Sequence, residues 1–237
     1  PDFISGDREP WITEGTASVA ELSDQHGMVR TPIRDLHFVD HPLKSTDNND
    51  EYSAQDFWVF LGQASGDGLD RFITLFEQGA TTDDVINWIG SKDALRNWYW
   101  RWVKNQVMVE ENIDFDGELG QPCTLQSQTV ETLRSLDMYN STGFGYPGTL
   151  PPLTSHVIQL IIDPDIEGLG RMKFWLDNDI PADDPDLELK VYVDGETCTS
   201  IPDGERILYD LTSAKTYYVV VSNVSPDSDK DYLLLFD

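Results

Sequence analysis

The sequence predicts an α+β protein of two domains, a helical domain at residues 1–117 and an antiparallel β-sandwich at residues 118–237, with jelly-roll or Greek-key connections. Up to about residue 112, apolar residues recur at the spacing of a helix. After that point they alternate with polar residues in short segments separated by Gly, Pro, Asn and Asp. A chain of 237 residues is long enough for two domains that each bury a core.

Five segments of the first half have the apolar period of a helix. Thr81 and Thr82, followed by two acids, are a typical helix start. In the longest segment, Leu95, Trp98, Trp102, Val103 and Val107 are expected to share one face. The segments are WITEGTASVAEL from Trp11, SAQDFWVFLGQ from Ser53, DGLDRFITLFEQG from Asp67, TTDDVINWIG from Thr81 and DALRNWYWRWVKNQVMVEE from Asp93.

The second half contains about seven short segments with the period of two that is typical of strands. Their spacing favours a sandwich of two antiparallel sheets. The segments are QSQTVETL from Gln126, HVIQLIID from His156, GRMKFWLD from Gly170, LELKVYVDG from Leu187, RILYDL from Arg206, TYYVVVSNV from Thr216 and YLLLFD from Tyr232.

The charge of the chain limits its partners. There are 43 acidic and 16 basic residues, which gives a formal net charge of −27. Such a surface repels nucleic-acid phosphates and anionic membranes, and it suits divalent cations, basic partners or a salty medium. No run of 18 apolar residues is present, so the sequence predicts no membrane span.

The two cysteines, Cys123 and Cys198, are too few and too far apart for a zinc ribbon or a thioredoxin-like pair. An even number in an acidic chain fits one disulfide in an exported protein, and two buried thiols are the alternative. We therefore expect a secreted, periplasmic or cell-surface protein. Its start at Pro1 is what a processed or truncated product would show.

One short motif points to metal chemistry. The sequence WITEGTA, Trp11 to Ala17, resembles the W-x-x-E-G-x-A signature of the gluzincin metallopeptidases, in which the Glu is the third zinc ligand. The resemblance implies that Glu14 is a zinc ligand and that Trp11, Gly15 and Ala17 support it by packing. The alternative is that Glu14 is a solvated acid in the first turn of a helix, where it favours the helix dipole.

The resemblance covers only part of the family pattern. The H-E-x-x-H helix, which supplies two zinc ligands and the base that activates water, is absent from this chain. We therefore expect that a missing N-terminal catalytic half preceded Pro1, and that this chain supplies Glu14, a wall of the pocket and an accessory β-domain. By this interpretation the chain is inactive by itself, the intact parent holds zinc, and its substrate is a peptide or protein.

Other residues are weaker candidates. His37 and His41 enclose an acid as an inverted zinc motif does, but two prolines around them favour a loop and two ordinary histidines. Tyr52 is a candidate donor to the oxyanion, although an ordinary aromatic residue beside a helix cap explains it better. His26 fits the end of a helix, and His156 fits a structural role at the start of a strand. Clustered Asp residues in DPDIEGLG, DNDIPADDPD and SPDSDKD make calcium a candidate cofactor of the β-domain, with solvated turns as the alternative.

Two other functions remain open from the sequence. One is a non-catalytic protein- or carbohydrate-binding module of an exported protein, which would bind through exposed aromatic residues such as Trp175, Tyr192 or Tyr217. The other is a structural or envelope protein whose helices are packed with Trp. An H-E-x-x-H sequence upstream of Pro1 would favour the peptidase over both.

Overall fold

The structure, a computed structural model, describes residues 8–17, 42–44, 54–64, 72, 75, 81–109, 124–125, 131–134, 145–162, 174–176, 184–193 and 215–236. Helices come first along the chain and strands follow, so the predicted α+β class is confirmed. The chain divides into two units, Pro1–Lys104 and Asn105–Asp237. The predicted boundary at residue 117 lies outside the described residues.

The first unit is helical. Residues 10–17 form α1, and Phe72 and Leu75, the described residues of the predicted third helix, are also helical. The other helices are α2 (Gln55–Ala64), α3 (Thr82–Ile89) and α4 (Lys92–Val107). Across the described ranges, no helix is both long and apolar enough to cross a membrane.

The start of α3 follows from four consecutive residues. Thr81 Oγ1 accepts a hydrogen bond from the backbone N–H of Asp84 at 3.2 Å. In return, Asp84 Oδ2 accepts the backbone N–H of Thr81 at 2.9 Å. This reciprocal capping box satisfies two N–H groups that a helix start leaves without partners, so the predicted start at Thr81 is confirmed.

Large aromatic side chains fill the core of the helical unit. Trp11 and Trp58 stack with their ring centroids 5.3 Å apart, and Phe57 meets Trp102 edge to face at 5.8 Å. Such pairs contribute about 0.5–1.5 kcal/mol beyond the area that they bury. The fully buried members of this core include Trp11, Phe57, Trp58, Leu61, Leu75, Leu95, Tyr99 and Trp102.

The buried face of α4 is centred differently from the prediction. Leu95, Trp102 and Val103 are buried as expected, but the same stripe contains Tyr99, which is fully buried, while Trp98 is half-buried. Tyr99 lies between Leu95 and Trp102 on the helical wheel, four residues after the first and three before the second. The side chain of Val107 lies outside the described part of the chain.

The predicted extension of this helix to Glu111 is wrong. The helix ends at Val107, and Met108–Val109 form strand β1, which pairs antiparallel with β2 (Thr124–Leu125). Backbone pairing with a distant segment therefore replaces the helical hydrogen bonds, a tertiary effect that local helix propensity does not report.

Seven further strands follow in the second unit: β3 (Glu131–Arg134), β4 (Gly145–Leu150), β5 (Thr154–Ile162), β6 (Phe174–Leu176), β7 (Leu187–Val193), β8 (Lys215–Asn223) and β9 (Lys230–Phe236). One sheet has the order β3-β5-β8-β7 and another the order β4-β9-β6. Six of the seven predicted strand segments contain an observed strand, and the seventh, RILYDL, lies outside the described residues.

The sheets are not wholly antiparallel as predicted. Strand β3 pairs with β5 in parallel, with Glu131 opposite Ile158, while the other described pairs are antiparallel. Between these two strands the chain forms β4, which belongs to the other sheet. The chain therefore returns to the first sheet in the same direction, which a hairpin between neighbours does not allow.

Strand β4 was not predicted, because its sequence GYPGTL has the composition of a turn. Pro147 lacks a backbone N–H, and it is tolerated because β4 is the edge strand of its sheet. At Gly148, a Cβ would lie 2.5 Å from the ring of Tyr232 on the paired strand. Glycine is therefore required here by the close approach of a neighbouring ring.

Candidate functional site

Helix α1, which carries the gluzincin-like motif, has two distinct faces. Trp11 and Ile12 are buried, as are Gly15 and Thr16. Glu14 is exposed on the opposite side. The spacing of the motif thus separates residues that anchor the helix from a carboxylate that reaches solvent.

The anchored face of α1 is fixed by a single tryptophan from α2. Trp58 Nε1 donates a hydrogen bond to the main-chain carbonyl of Trp11 at 2.8 Å, in a buried position. A Cβ on Gly15 would lie 2.5 Å from Trp58 Cδ1 and 3.3 Å from the Cβ of Ala54. Trp11 and Gly15 therefore pack against α2, since the glycine lets that helix approach. Their expected role as support for a zinc ligand stays a prediction.

Ala17 is exposed, and its expected role as packing support for Glu14 stays a prediction. It follows Glu14 by three residues, so the two lie on the same side of the helix. Within the motif, the buried residues are therefore Trp11, Ile12, Gly15 and Thr16, while Glu14 and Ala17 are exposed.

The exposed Glu14 does not form a metal site by itself. Structural and catalytic zinc sites take three or four protein ligands, so one carboxylate is insufficient. Within the described ranges, no group of three or more His, Cys, Asp or Glu side chains could hold a metal ion. The assignment of Glu14 as a zinc ligand stays a prediction.

Sequence reasoning missed Glu9, whose carboxylate links three separate segments. Its oxygens accept the backbone N–H and the hydroxyl of Thr82, both at 2.8 Å, and the indole N–H of Trp11 at 2.9 Å. Lys44 Nζ lies 3.1 Å from the same carboxylate. Glu9 therefore connects the start of α1 to the start of α3 and to the segment around Lys44.

The environment of Glu9 favours its charged form. Burial by itself raises the pKa of this carboxyl, but four polar contacts act in the opposite direction. They are the backbone and side-chain hydrogen bonds from Thr82, the bond from Trp11 and the contact with Lys44, and together they lower the pKa below its ordinary value. The position at the N-terminus of α3 also suits a negative charge. A Glu just before Pro10 and Trp11 gave no signal of this role, because its main partner is 73 residues away.

The remaining predicted site residues of the helical unit fall outside the described residues. They are Tyr52, His26, and the pair His37 and His41. Cys123 and Cys198 of the predicted disulfide also lie outside them. These assignments remain predictions.

In the β-unit, His156 connects strands of the two larger sheets. Its Nδ1 lies 2.6 Å from the hydroxyl of Tyr232, so β5 of one sheet is bonded to β9 of the other. The ring of Tyr146 on β4 lies 5.5 Å from the imidazole, centroid to centroid. The structural role expected for His156 is confirmed, and it consists of a bond between sheets.

Two of the three aromatic residues proposed for ligand binding, Tyr192 and Tyr217, are not available on the surface. Tyr192 is 1% exposed and Tyr217 is fully buried, so the expectation that they are exposed is wrong. Tyr217 lies on β8, an inner strand along which every residue from 217 to 223 is buried, so both faces of this strand are covered. The side chain of Trp175 lies outside the described residues.

The acidic loops expected to offer calcium ligands are described only in part. Asp184 and Asp186 of one loop both contact Lys230, the first residue of β9. The loop at residues 163–170 is outside the described residues, and calcium there stays a prediction.

Comparison of the sequence with known proteins adds no relative. No model of a protein family matches the chain, and no curated protein is significantly similar to it.

Proposed function

We propose that this chain is the C-terminal part of a secreted gluzincin-type zinc metallopeptidase, in which Glu14 is the third zinc ligand and the β-unit is an accessory domain. The observation that supports the proposal is that some residues of the motif anchor the helix while its glutamate is exposed. Trp11 and Gly15 are locked against Trp58, while Glu14 lies on the exposed side of the same helix. A fixed helix with an outward carboxylate suits a ligand that must reach a metal bound by another segment.

In this proposal the chain contributes one positioned zinc ligand, and the missing N-terminal half contributes the other ligands and the base that activates water. The two histidines and the water-activating Glu would come from the H-E-x-x-H helix of that half. Glu14 would complete the zinc ligands, and zinc would polarise the peptide carbonyl and activate water. The helical core around Trp58 would hold α1 so that the carboxylate reaches the metal at about 2 Å.

The test is a comparison of two acid-to-amide substitutions in the intact parent. Glu14→Gln should remove most of the zinc and the peptidase activity, because it neutralises a ligand and keeps its size. Asp83→Asn is the matched control, since Asp83 is also an exposed acid on a helix. Zinc content and peptide hydrolysis are measured for both proteins. A parent that keeps its zinc and activity with Glu14→Gln would reject the proposal.

We also propose that the second unit is a β-sandwich that folds as a separate domain. The bond between His156 and Tyr232 joins the two sheets, and burial of both faces of β8 indicates that material covers each side of its sheet. Limited proteolysis should cut between residues 112 and 126 and release a β-rich fragment that stays folded. Cuts confined to the strands would count against this division.

A further inference from the structure

Three turns of the β-unit meet at one end of its sheets. They are residues 151–153 between β4 and β5, residues 184–186 before β7, and residues 224–229 between β8 and β9. Two backbone hydrogen bonds join them: Leu153 N to Ser225 O at 3.0 Å, and Val224 N to Asp186 O at 2.8 Å. The turns therefore form one connected polar cluster.

Asn223 is the centre of this cluster. Its side-chain nitrogen lies 2.8–2.9 Å from the carbonyl oxygens of Leu150, Pro151 and Ser228, which share its two N–H groups, and its carbonyl oxygen accepts the N–H of Ser225 at 2.9 Å. The residue is fully buried. A buried amide with these partners fixes the turns by hydrogen bonds without any charge.

Two carboxylates remain beside this cluster, and Lys230 lies between them. Lys230 Nζ donates to Asp184 Oδ2 at 2.6 Å and lies 3.3 Å from Asp186 Oδ2. The three side chains are only 15–18% exposed. The other oxygen of Asp184 accepts the backbone N–H of Asp186 at 2.9 Å, which fixes the orientation of the carboxylate.

We infer that Lys230 is a built-in counter-ion that occupies the position between Asp184 and Asp186 where a divalent cation would otherwise bind. Two neighbouring carboxylates with little exposure to water need a positive charge, because desolvation and mutual repulsion both penalise them. A calcium ion bound to Asp184 would lie about 2.3–2.6 Å from its oxygen. The ammonium group already lies 2.6 Å from that oxygen, so the two cations exclude each other.

The surroundings of Lys230 favour its protonated, charged form. The hydrogen bond with Asp184 raises the pKa of Lys230, an effect that burial opposes and that the contact with Asp186 reinforces. Because Lys230 supplies the positive charge, the two carboxylates need no calcium from the medium. Because Lys230 begins β9 and the two acids precede β7, this counter-ion ties strands of two different sheets together.

The inference is independent of the metallopeptidase proposal, and thermal unfolding of the full chain tests it. Lys230→Ala should lower the unfolding midpoint by about 3–6 °C, because two poorly solvated carboxylates then face each other. Lys230→Arg should keep most of the midpoint, since it keeps the charge. Lys190→Ala is the matched control, because Lys190 Nζ lies 3.7 Å from Glu188 Oε2, a longer contact than those of Lys230. A loss for Lys230→Ala no larger than that for Lys190→Ala would overturn the inference.

Calcium provides the second readout. In buffers of equal ionic strength, calcium chloride compared with EDTA should shift the midpoints of the wild type and of Asp184→Asn equally, because calcium does not reach Asp184 while Lys230 is present. In Lys230→Ala, calcium should raise the midpoint more than it does in the wild type. Stronger stabilisation of the wild type than of Asp184→Asn, or no added effect of calcium on Lys230→Ala, would contradict the counter-ion role.

Discussion

Trp58 reaches the backbone of Trp11 with its indole N–H, 2.8 Å from the carbonyl oxygen, and its ring lies directly over the next turn of that helix at Gly15. This contact joins α1 to α2 by a hydrogen bond and by aromatic stacking at once. It explains why a glycine is tolerated inside a helix, where it costs about 1 kcal/mol relative to alanine.

Gly15→Ala should destabilise the helical unit in spite of the better helix propensity of alanine. The new methyl group would lie 2.5 Å from Trp58 Cδ1, in a core where Trp58 is fully buried and has little room to move. Overpacking of this kind costs about 1–3 kcal/mol, which exceeds the gain in propensity. Urea denaturation measures the difference.

Gly62→Ala is the control for this substitution, because a Cβ there would meet the ring of Phe72 at 3.1 Å, a milder contact. It should destabilise the protein less than Gly15→Ala. Equal losses of stability in the two variants would show that the side chain of Trp58 moves to make room for the methyl group.

The two glutamates of the α1 region should respond very differently to neutralisation. Glu9→Gln weakens the bonds from Thr82 and Trp11 and removes the attraction of Lys44, so we expect a loss of about 1–3 kcal/mol in the free energy of unfolding. Glu14→Gln changes an exposed side chain and should alter stability by less than about 0.5 kcal/mol. Parallel urea titrations of the two variants compare the losses, and similar losses would mean that the Glu9 contacts contribute little.

The contribution of Glu9 should depend on pH in a defined direction. Its pKa in the folded protein is lowered, so the carboxylate stabilises the fold fully above the unfolded pKa, ordinarily about 4.5. This stabilisation is lost as the pH falls through the lower, folded pKa. The stability difference between the wild type and Glu9→Gln, measured by denaturation between pH 3 and about pH 7, should therefore be constant at neutral pH and shrink in acid. A stability difference that grows in acid would mean that folding raises the pKa of Glu9 instead of lowering it.

Cys123 and Cys198 should form a disulfide. Closing a loop of about 75 residues would stabilise the β-unit by roughly 4 kcal/mol in the chain-entropy model, and engineered bridges commonly give less. Peptide mapping by mass spectrometry without reductant should recover the two cysteines in one linked fragment, and reduction should lower the unfolding midpoint. Recovery of two alkylated thiols from the untreated native protein would reject the bridge.

Features encoded by neighbouring residues were predictable from the sequence. The capping box of Thr81 and Asp84 lies within four residues, and the strands β5, β7, β8 and β9 follow from runs of alternating or β-branched residues. Composition failed where a turn-like sequence forms an edge strand, as at Pro147 and Gly148. There the strand forms because Pro147 lies on an edge strand and because Gly148 leaves room for the ring of Tyr232.

The sequence by itself determined that helices precede strands, where α3 starts, and that one motif has a glutamate close to a tryptophan and a glycine. Only the tertiary structure decided which glutamate is held by many partners and which one is exposed. Glu9 meets Thr82 across 73 residues of chain, and Lys230 meets Asp184 across 46. Local propensity reports the backbone preference of neighbouring residues, whereas these contacts depend on how the elements pack, and no spacing in the sequence encodes that distance.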